Sequence, residues 1–234
     1  MKGKTVVIIG GTGQIGKHIV EVLQKQGYFT ICVSSKPLSD IEKNQGTEYY
    51  VFDMSNPESI EECCAKISEK YCMIDNLINI LGKNIGGTLY EITEEMWNDV
   101  IDTNLKSVFF ICRTFRKLFA QNNKGSIINF ASTAGIRALP TSPHYIVAKA
   151  GVIALTEYFA QFFAPNIRVN CIAPGFVLTE NHKPLNYKNY DNIIDSIPLH
   201  RMATIEDIAD AVVYLLKAMT ITGHTLVVDG GLIL

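Results

Sequence analysis

The chain has 234 residues, of which 47% are hydrophobic and 19% charged, and its formal net charge is −2. This length suits one large domain or two small ones and allows a sizeable core. No block of like charges marks a surface for nucleic acid or membrane, so we expect neither partner. The first apolar run, "TVVII", is shorter than the roughly 7–15 apolar residues of a signal peptide, so we expect a cytoplasmic protein.

Short apolar runs alternate with segments of helical periodicity along the whole chain. Runs of continuous apolar residues are typical of parallel strands buried on both faces. The alternation therefore predicts an α/β fold: a single doubly wound (Rossmann) domain over 1–234, with a seven-stranded parallel sheet and helices on both faces. We predict strands at 5–10, 29–35, 48–53, 75–80, 125–131, 167–175 and 224–230, and helices near 15–26, 57–70, 94–122, 145–163 and 204–217.

One stretch departs from this regular pattern, at about 176–200. It is polar, rich in Tyr and Asn and interrupted by proline, so we predict a substrate flap rather than core. The cysteines show no metal-ligand spacing, and we expect buried free thiols and no metal site. They stand at Cys32, Cys63, Cys64, Cys72, Cys112 and Cys171.

A glycine-rich loop, "GGTGQIG" at 10–16, follows the first predicted strand and precedes the first predicted helix. Gly11, Gly13 and Gly16 satisfy the pattern GxGxxG in the strand–helix context that this pattern requires. Glycine lets the backbone approach a pyrophosphate, and the helix N-terminus offers N–H groups and a positive dipole end to the anion. The alternative is a plain strand-to-helix turn.

A second set of residues lies farther along the chain. Tyr145 and Lys149 form YxxxK near the start of a helix, which puts both side chains on one face. Ser132 stands 13 residues before the tyrosine, and Asn104 lies in the helix beginning near 94. "Ala-Pro-Gly" at 173–175 and "Val-Asp-Gly-Gly" at 228–231 end the last two strands. Together with the glycine loop, this set resembles the single-domain branch of the short-chain dehydrogenase/reductase family, over essentially the whole chain.

The resemblance implies a ketone reductase in which Asn104, Ser132, Tyr145 and Lys149 are catalytic. Tyr145 is the general acid/base, and a lysine ammonium one helical turn away is expected to lower its pKa from about 10. Ser132 would polarise the substrate carbonyl. By resemblance, Lys149 also binds the nicotinamide ribose and Asn104 holds a water in the proton relay. Singly, each residue has an ordinary structural alternative, such as a local hydroxyl bond for Ser132.

The end of the second strand bears on the choice of cofactor. An acidic residue that would bind the ribose hydroxyls of NAD is missing there, and Ser34, Ser35 and Lys36 stand in its place. Hydroxyls and an ammonium accept a 2′-phosphate that a carboxylate would repel, which favours NADP(H), with NAD(H) as the alternative. Asp53 resembles the family residue that meets the adenine ring, and its alternative is a turn or cap aspartate.

The family pattern assigns further cofactor contacts by position. Thr179 would bond the nicotinamide carboxamide. The other positions are Gly10, Thr12, Gly13, Gln14, Ile15, Gly16, Asn79, Gly82, Tyr145, Lys149, Pro174, Gly175 and Val177.

The chain departs from the single-domain branch at two strand ends. The glycines at 10, 13 and 16 have the GxxGxxG spacing of the sugar-nucleotide branch, and Ile9 replaces the expected threonine. Ile80 replaces the second asparagine of the family's NNAG. Loss of both ends of a buried polar contact can be nearly neutral, so we hypothesise that Ile9 and Ile80 touch and compensate each other.

Three functions remain open from the sequence. The first is an NADP(H)-dependent ketone reductase, which most resembles 3-oxoacyl-carrier-protein reductases. The second is an extended-type enzyme that modifies sugar nucleotides, and the third is a non-enzymatic NADP-sensing regulator. We also expect a homodimer or homotetramer, because the long helices carry more apolar residues than one buried face needs. The excess comprises Phe109, Phe110, Phe115, Phe119, Phe159, Phe162 and Phe163.

Overall fold

Seven parallel strands form one sheet in the computed structural model, which describes residues 4–35, 46–119, 125–179 and 190–234. The sheet order is β3-β2-β1-β4-β5-β6-β7, so the order reverses between β1 and β4. All seven predicted strands are confirmed, as is the doubly wound fold. The strands are β1 Thr5–Ile9, β2 Phe29–Ser34, β3 Thr47–Val51, β4 Asn76–Asn79, β5 Gly125–Phe130, β6 Ile167–Pro174 and β7 Thr225–Val228.

Helices cover both faces of the sheet, because successive strand side chains point to opposite sides. Val7 and Ile9 join one core cluster with residues of α2, α4 and α5, whereas Val6 and Ile8 join the other with α1 and α7. This is why the strands read as unbroken apolar runs. The helices are α1 Gln14–Lys25, α2 Pro57–Lys70, α3 Glu94–Ile101, α4 Ser107–Phe115, α5 Pro143–Phe163, α6 Tyr190–Asp195 and α7 Ile205–Lys217.

The predicted helix at 94–122 is wrong as one continuous α-helix. A π-helical turn, Asp102–Lys106, separates α3 from α4, and a 3-10 turn, Arg116–Leu118, ends the segment. The Nδ2 of Asn104 donates to the Val100 carbonyl at 2.9 Å, the acceptor that a regular helix reserves for a backbone N–H. The side chain of Asn104 therefore competes with the helical ladder at its own position.

Helix α5 begins two residues earlier than predicted, because Pro143 occupies its first position, where a missing N–H costs nothing. The helix satisfies the length and composition criteria of a membrane span, but it packs on the sheet as a core helix. All six cysteines are free and described, and five are buried. Cys72 is exposed, contrary to expectation, because it follows the end of α2 in the turn before β4.

The predicted flap lies only partly within the described residues. Residues 176–179 and 190–200 are described, and α6 begins inside this stretch, which the sequence did not predict. Residues 180–189 lie outside the described ranges. The flap and the single-domain boundaries therefore stay predictions.

Candidate active site

The predicted site residues gather at one edge of the sheet, because parallel strands all end there. The glycine loop follows β1, and Asn79–Gly82 follows its neighbour β4 across the point where the strand order reverses. In open parallel sheets, this crevice is where ligands bind. A Cβ on Gly10 would lie 3.3 Å from the Leu81 backbone nitrogen, so the two segments run side by side.

Two glycines of the loop have different roles. A Cβ on Gly16 would lie 2.4 Å from the Gly10 carbonyl oxygen, so this glycine allows α1 to pack against the loop. A Cβ on Gly13 would meet only that same oxygen at 3.6 Å, an ordinary contact. The backbone of Gly13 is also ordinary, with φ of −69°, so the protein itself has room for a side chain there. The space beside Gly13 is what a bound phosphate would need.

Ser132 follows the end of β5, and Tyr145 lies in the first turn of α5. Ser132 begins a 3-10 turn and its Oγ accepts from the Ala134 N–H at 3.2 Å. The local hydroxyl bond considered from the sequence is therefore present, and the same side chain is close enough to the Tyr145 hydroxyl to favour its ionised form. The two hydroxyls can act on one oxygen atom of a substrate.

Lys149 is 3% exposed, and its Nζ donates to the Phe130 carbonyl at 2.8 Å. Burial lowers the pKa of this ammonium to about 8, which makes proton exchange possible close to neutrality. The Nζ also lies 5.7 Å from the centre of the Tyr145 ring. A Cβ on Gly82 would lie 3.1 Å from this Nζ and 2.8 Å from the Asn104 Oδ1, so both side chains converge on Gly82.

The expectation that Lys149 lowers the pKa of Tyr145 is wrong for this structure. Burial raises the pKa of the Tyr145 hydroxyl, and the hydrogen bond with Ser132 acts in the opposite direction. The reason is that desolvation disfavours a phenolate in this enclosed position, while the Lys149 amine is directed to the Phe130 carbonyl. Tyr145 therefore holds its proton until a partner that stabilises the phenolate is present.

Asn79 is a buried polar residue at this edge of the sheet. It is 1% exposed, and neither its Oδ1 nor its Nδ2 has a partner among the described residues. Ile9 lies opposite Asn79 in the register, on the same face of the sheet. The Ile80 N–H donates to the Ile9 carbonyl at 2.9 Å, but the Ile80 side chain packs on the other face, so the two residues touch through their main chains and not through their side chains. The open space at Gly13 and the unpartnered amide of Asn79 together fit a dinucleotide.

The proposed adenosine end is only partly described. Ser34 ends β2 and is buried, Ser35 is exposed, and Lys36 lies outside the described residues. The Oδ1 of Asp53 accepts from the N–H and hydroxyl of Ser55, so Asp53 forms a turn. Asn56, not Asp53, caps α2. The adenine contact of Asp53 stays a prediction.

The end of β6 packs against the turn at 229–233. The sequence did not indicate this contact. Pro174 ends the strand, and a Cβ on Gly175 would lie 2.7 Å from the Asp229 Cβ. Asp229 accepts from the Gly231 N–H at 2.8 Å and the Ile233 N–H at 3.1 Å. Val177 pairs with Ala203, and Thr179 is the last described residue before 190. The carboxylate thus holds the turn against which Gly175 packs.

His144, next to Tyr145, is fully buried, with neither ring nitrogen partnered among the described residues. Its ring stacks on Trp97 of α3, with centroids 6.3 Å apart. The sequence carried no signal for this contact, because the two residues are distant in the chain.

Burial lowers the pKa of His144, so the folded state binds this proton less readily than the unfolded state. The stability it contributes is complete above the unfolded pKa of about 6.5 and is lost as pH falls, by up to about 1.4 kcal/mol per pH unit until the folded pKa is reached. We expect His144→Phe to keep the stacking and reduce this loss, as measured by urea unfolding at pH 8 and pH 5.5. A large loss of stability at pH 8 instead would show that the imidazole has a hydrogen-bond partner.

The described residues, 4–35, 46–119, 125–179 and 190–234, contain no cluster of three His, Cys, Asp or Glu side chains suited to a metal ion. A family model described as enoyl-(acyl carrier protein) reductase matches residues 11–233. This match covers nearly the whole chain, and the chain belongs to the short-chain dehydrogenase/reductase family of oxidoreductases.

Two relatives match the chain over its full length, and both are 3-oxoacyl-[acyl-carrier-protein] reductases. The chain is 32% identical to the 3-oxoacyl-[acyl-carrier-protein] reductase FabG of Thermotoga maritima over 100% of this chain and 99% of that protein. It is 34% identical to FabG of Haemophilus influenzae over the whole of both chains. A short-chain dehydrogenase from Leptospira borgpetersenii, solved with bound NAD+, is 30% identical with a TM-score of 0.89, over 100% of this chain and 94% of that one.

Proposed function

We propose that the chain is a cytoplasmic NADP(H)-dependent reductase that converts a ketone to a secondary alcohol, with 3-oxoacyl thioesters as the first substrates to test. The observation that carries the proposal is that the Ser132 side chain and the buried amine of Lys149 both lie beside Tyr145. The likeness to FabG proteins over their full length supports the substrate class. The FabG-like full-length match also favours this function over an extended sugar-nucleotide enzyme.

The protein's own side chains would supply the proton that the reduction requires. When bound, the nicotinamide would supply a hydride to the carbonyl carbon. Ser132 and Tyr145 would donate hydrogen bonds to the carbonyl oxygen, and the Tyr145 proton would pass to that oxygen as negative charge develops. Lys149, with its pKa of about 8, would then return a proton to Tyr145. Asn104 fixes the segment at Gly82, where Lys149 and the proposed nicotinamide ribose would meet.

The residues that would hold the cofactor line the same crevice. The loop at 10–16 would bind the pyrophosphate at the N-terminus of α1, where no side chain caps the helix in the described residues. Ser35, exposed at the end of β2, and Lys36 would receive the 2′-phosphate. The sequence at 34–36, Ser-Ser-Lys, carries no carboxylate that would repel it, which supports NADP(H) over NAD(H).

The proposal is tested by following the oxidation of NADPH and NADH with a 3-oxoacyl thioester, a cyclic ketone and a keto-sugar. We expect the thioester to be reduced, with NADPH preferred. Reduction of the keto-sugar alone would reject the substrate class, and equal use of NADH would reject the interpretation of the β2 end.

We further propose that two copies pair through α4 and α5. Four of the seven phenylalanines that suggested a second buried surface are instead buried in the chain's own core. They are Phe115, Phe119, Phe159 and Phe163. Tyr158 and Phe162 nevertheless stay 54% and 70% exposed, beside an open groove between the two helices. Exposed stacked aromatic rings of this kind mark an interface between protein chains.

We expect light scattering to show a dimer or tetramer at micromolar concentration. Tyr158→Asp with Phe162→Asp should give a folded monomer, because both side chains are exposed in the single chain. A wild-type monomer, or an unchanged oligomer in the double variant, would reject this interface.

A further inference from the structure

Lys83 is a cationic residue at the crevice that the sequence analysis left without a role. It follows Gly82 directly, and Asn104 holds its main chain in both directions. The Lys83 N–H donates to the Asn104 Oδ1 at 3.2 Å, and the Asn104 Nδ2 donates to the Lys83 carbonyl at 2.7 Å. The point from which this long side chain starts is therefore fixed at the edge that would hold the cofactor.

The ammonium of Lys83 pairs with Asp99 of α3, and both side chains are about half-exposed. Leu81, two residues before Lys83, lies beside Gly10, because a Cβ on Gly10 would be 3.3 Å from the Leu81 backbone nitrogen. Lys83 therefore starts close to the loop that is proposed to bind the pyrophosphate.

The ion pair with Asp99 does not by itself explain a lysine at this position. An ion pair between half-exposed side chains contributes little to stability, because water screens the charges and both side chains lose freedom. A phosphate group carries more charge than a carboxylate and accepts stronger hydrogen bonds from an ammonium. A phosphate brought into the crevice can thus compete with Asp99 for Lys83.

We propose that Lys83 is an additional cofactor-binding residue whose ammonium moves from Asp99 to a phosphate of the bound dinucleotide. This inference rests on the proposed function, since it takes the ligand to be NADP(H) or NAD(H). The phosphate is either the pyrophosphate, which both cofactors carry, or the 2′-phosphate, which NADP(H) alone carries. The two cofactors therefore distinguish the two sources.

The test is isothermal titration calorimetry of NADPH and NADH with the full chain, without substrate. Lys83→Met is expected to weaken NADPH binding roughly 5- to 30-fold, the worth of one charge-assisted hydrogen bond at a partly exposed site. NADH binding should weaken equally if the partner is the pyrophosphate, and hardly change if it is the 2′-phosphate. The difference between wild type and variant should shrink as salt is raised.

Two further variants separate this role from a structural ion pair. Asp99→Asn is expected to bind NADPH at least as tightly as the wild type, because it releases the Lys83 ammonium. Lys117→Met is the matched control: Lys117 pairs with Glu61 at 2.9 Å, next to the start of β4 at the opposite edge of the sheet. This control should leave binding unchanged.

Lys83→Met binding both cofactors like the wild type would overturn the inference and leave the proposed function standing. Equal weakening by Lys83→Met and Asp99→Asn would also overturn it, because the ion pair would then only support the crevice wall. A wild-type protein that binds neither cofactor would overturn both the inference and the proposed function.

Discussion

Tyr145→Phe is expected to lower the turnover of ketone reduction by about 10²–10⁴-fold, the usual contribution of a positioned general acid. The substitution keeps the half-buried ring and its place beside Lys149 and removes only the hydroxyl, which lies near Ser132. The affinity for NADPH should stay nearly unchanged. Stopped-flow reduction of the substrate and calorimetry of NADPH binding measure the two effects separately.

Tyr214→Phe is the control for this prediction, since Tyr214 lies on α7 and its side chain is exposed. It should reduce substrate at the wild-type rate. If Tyr145→Phe also did so, the proton would come from another group and the assignment of Tyr145 would fail.

Gly13→Val is expected to have the opposite pattern, weakening NADPH binding at least about 10-fold while leaving the fold intact. The expectation follows from the open position of its Cβ, which meets only the Gly10 carbonyl oxygen at 3.6 Å. A branched side chain there would fill the space in which the pyrophosphate is proposed to lie. Calorimetry of NADPH binding and urea unfolding of the free protein measure the two properties.

A paired variant sharpens this prediction. Gly16→Val should unfold the protein far more readily, because its Cβ would lie 2.4 Å from the Gly10 carbonyl oxygen. Wild-type affinity for NADPH in Gly13→Val would show that the loop only turns the chain from β1 into α1.

Much of the fold was predictable because its signals are local. Val6–Ile9 is apolar on both faces, which only a strand between two helical layers requires, and the same holds for the other central strands. The location of the site could also be predicted, because the residues that follow parallel strands all lie at one edge of the sheet. The positions of Ser132, Tyr145 and Lys149 needed no more than this rule and the family pattern.

Other features depended on contacts between distant parts of the chain. His144 is buried only because α3 brings Trp97 against it. The raised pKa of Tyr145 likewise follows from enclosure by the folded chain, whereas the sequence showed only the neighbouring lysine. The opposite faces taken by Ile9 and Ile80 depend on the register of β1 and β4, which apolar runs do not reveal.

The π-helical turn at Asp102–Lys106 sets a conflict between durability and activity. Loss of one residue from this turn would restore a regular helix, with better backbone bonding, but it would rotate Asn104 away from Lys83 and Gly82. Such a shortening is therefore expected to raise the thermal stability of the helix and to lower the activity of the site.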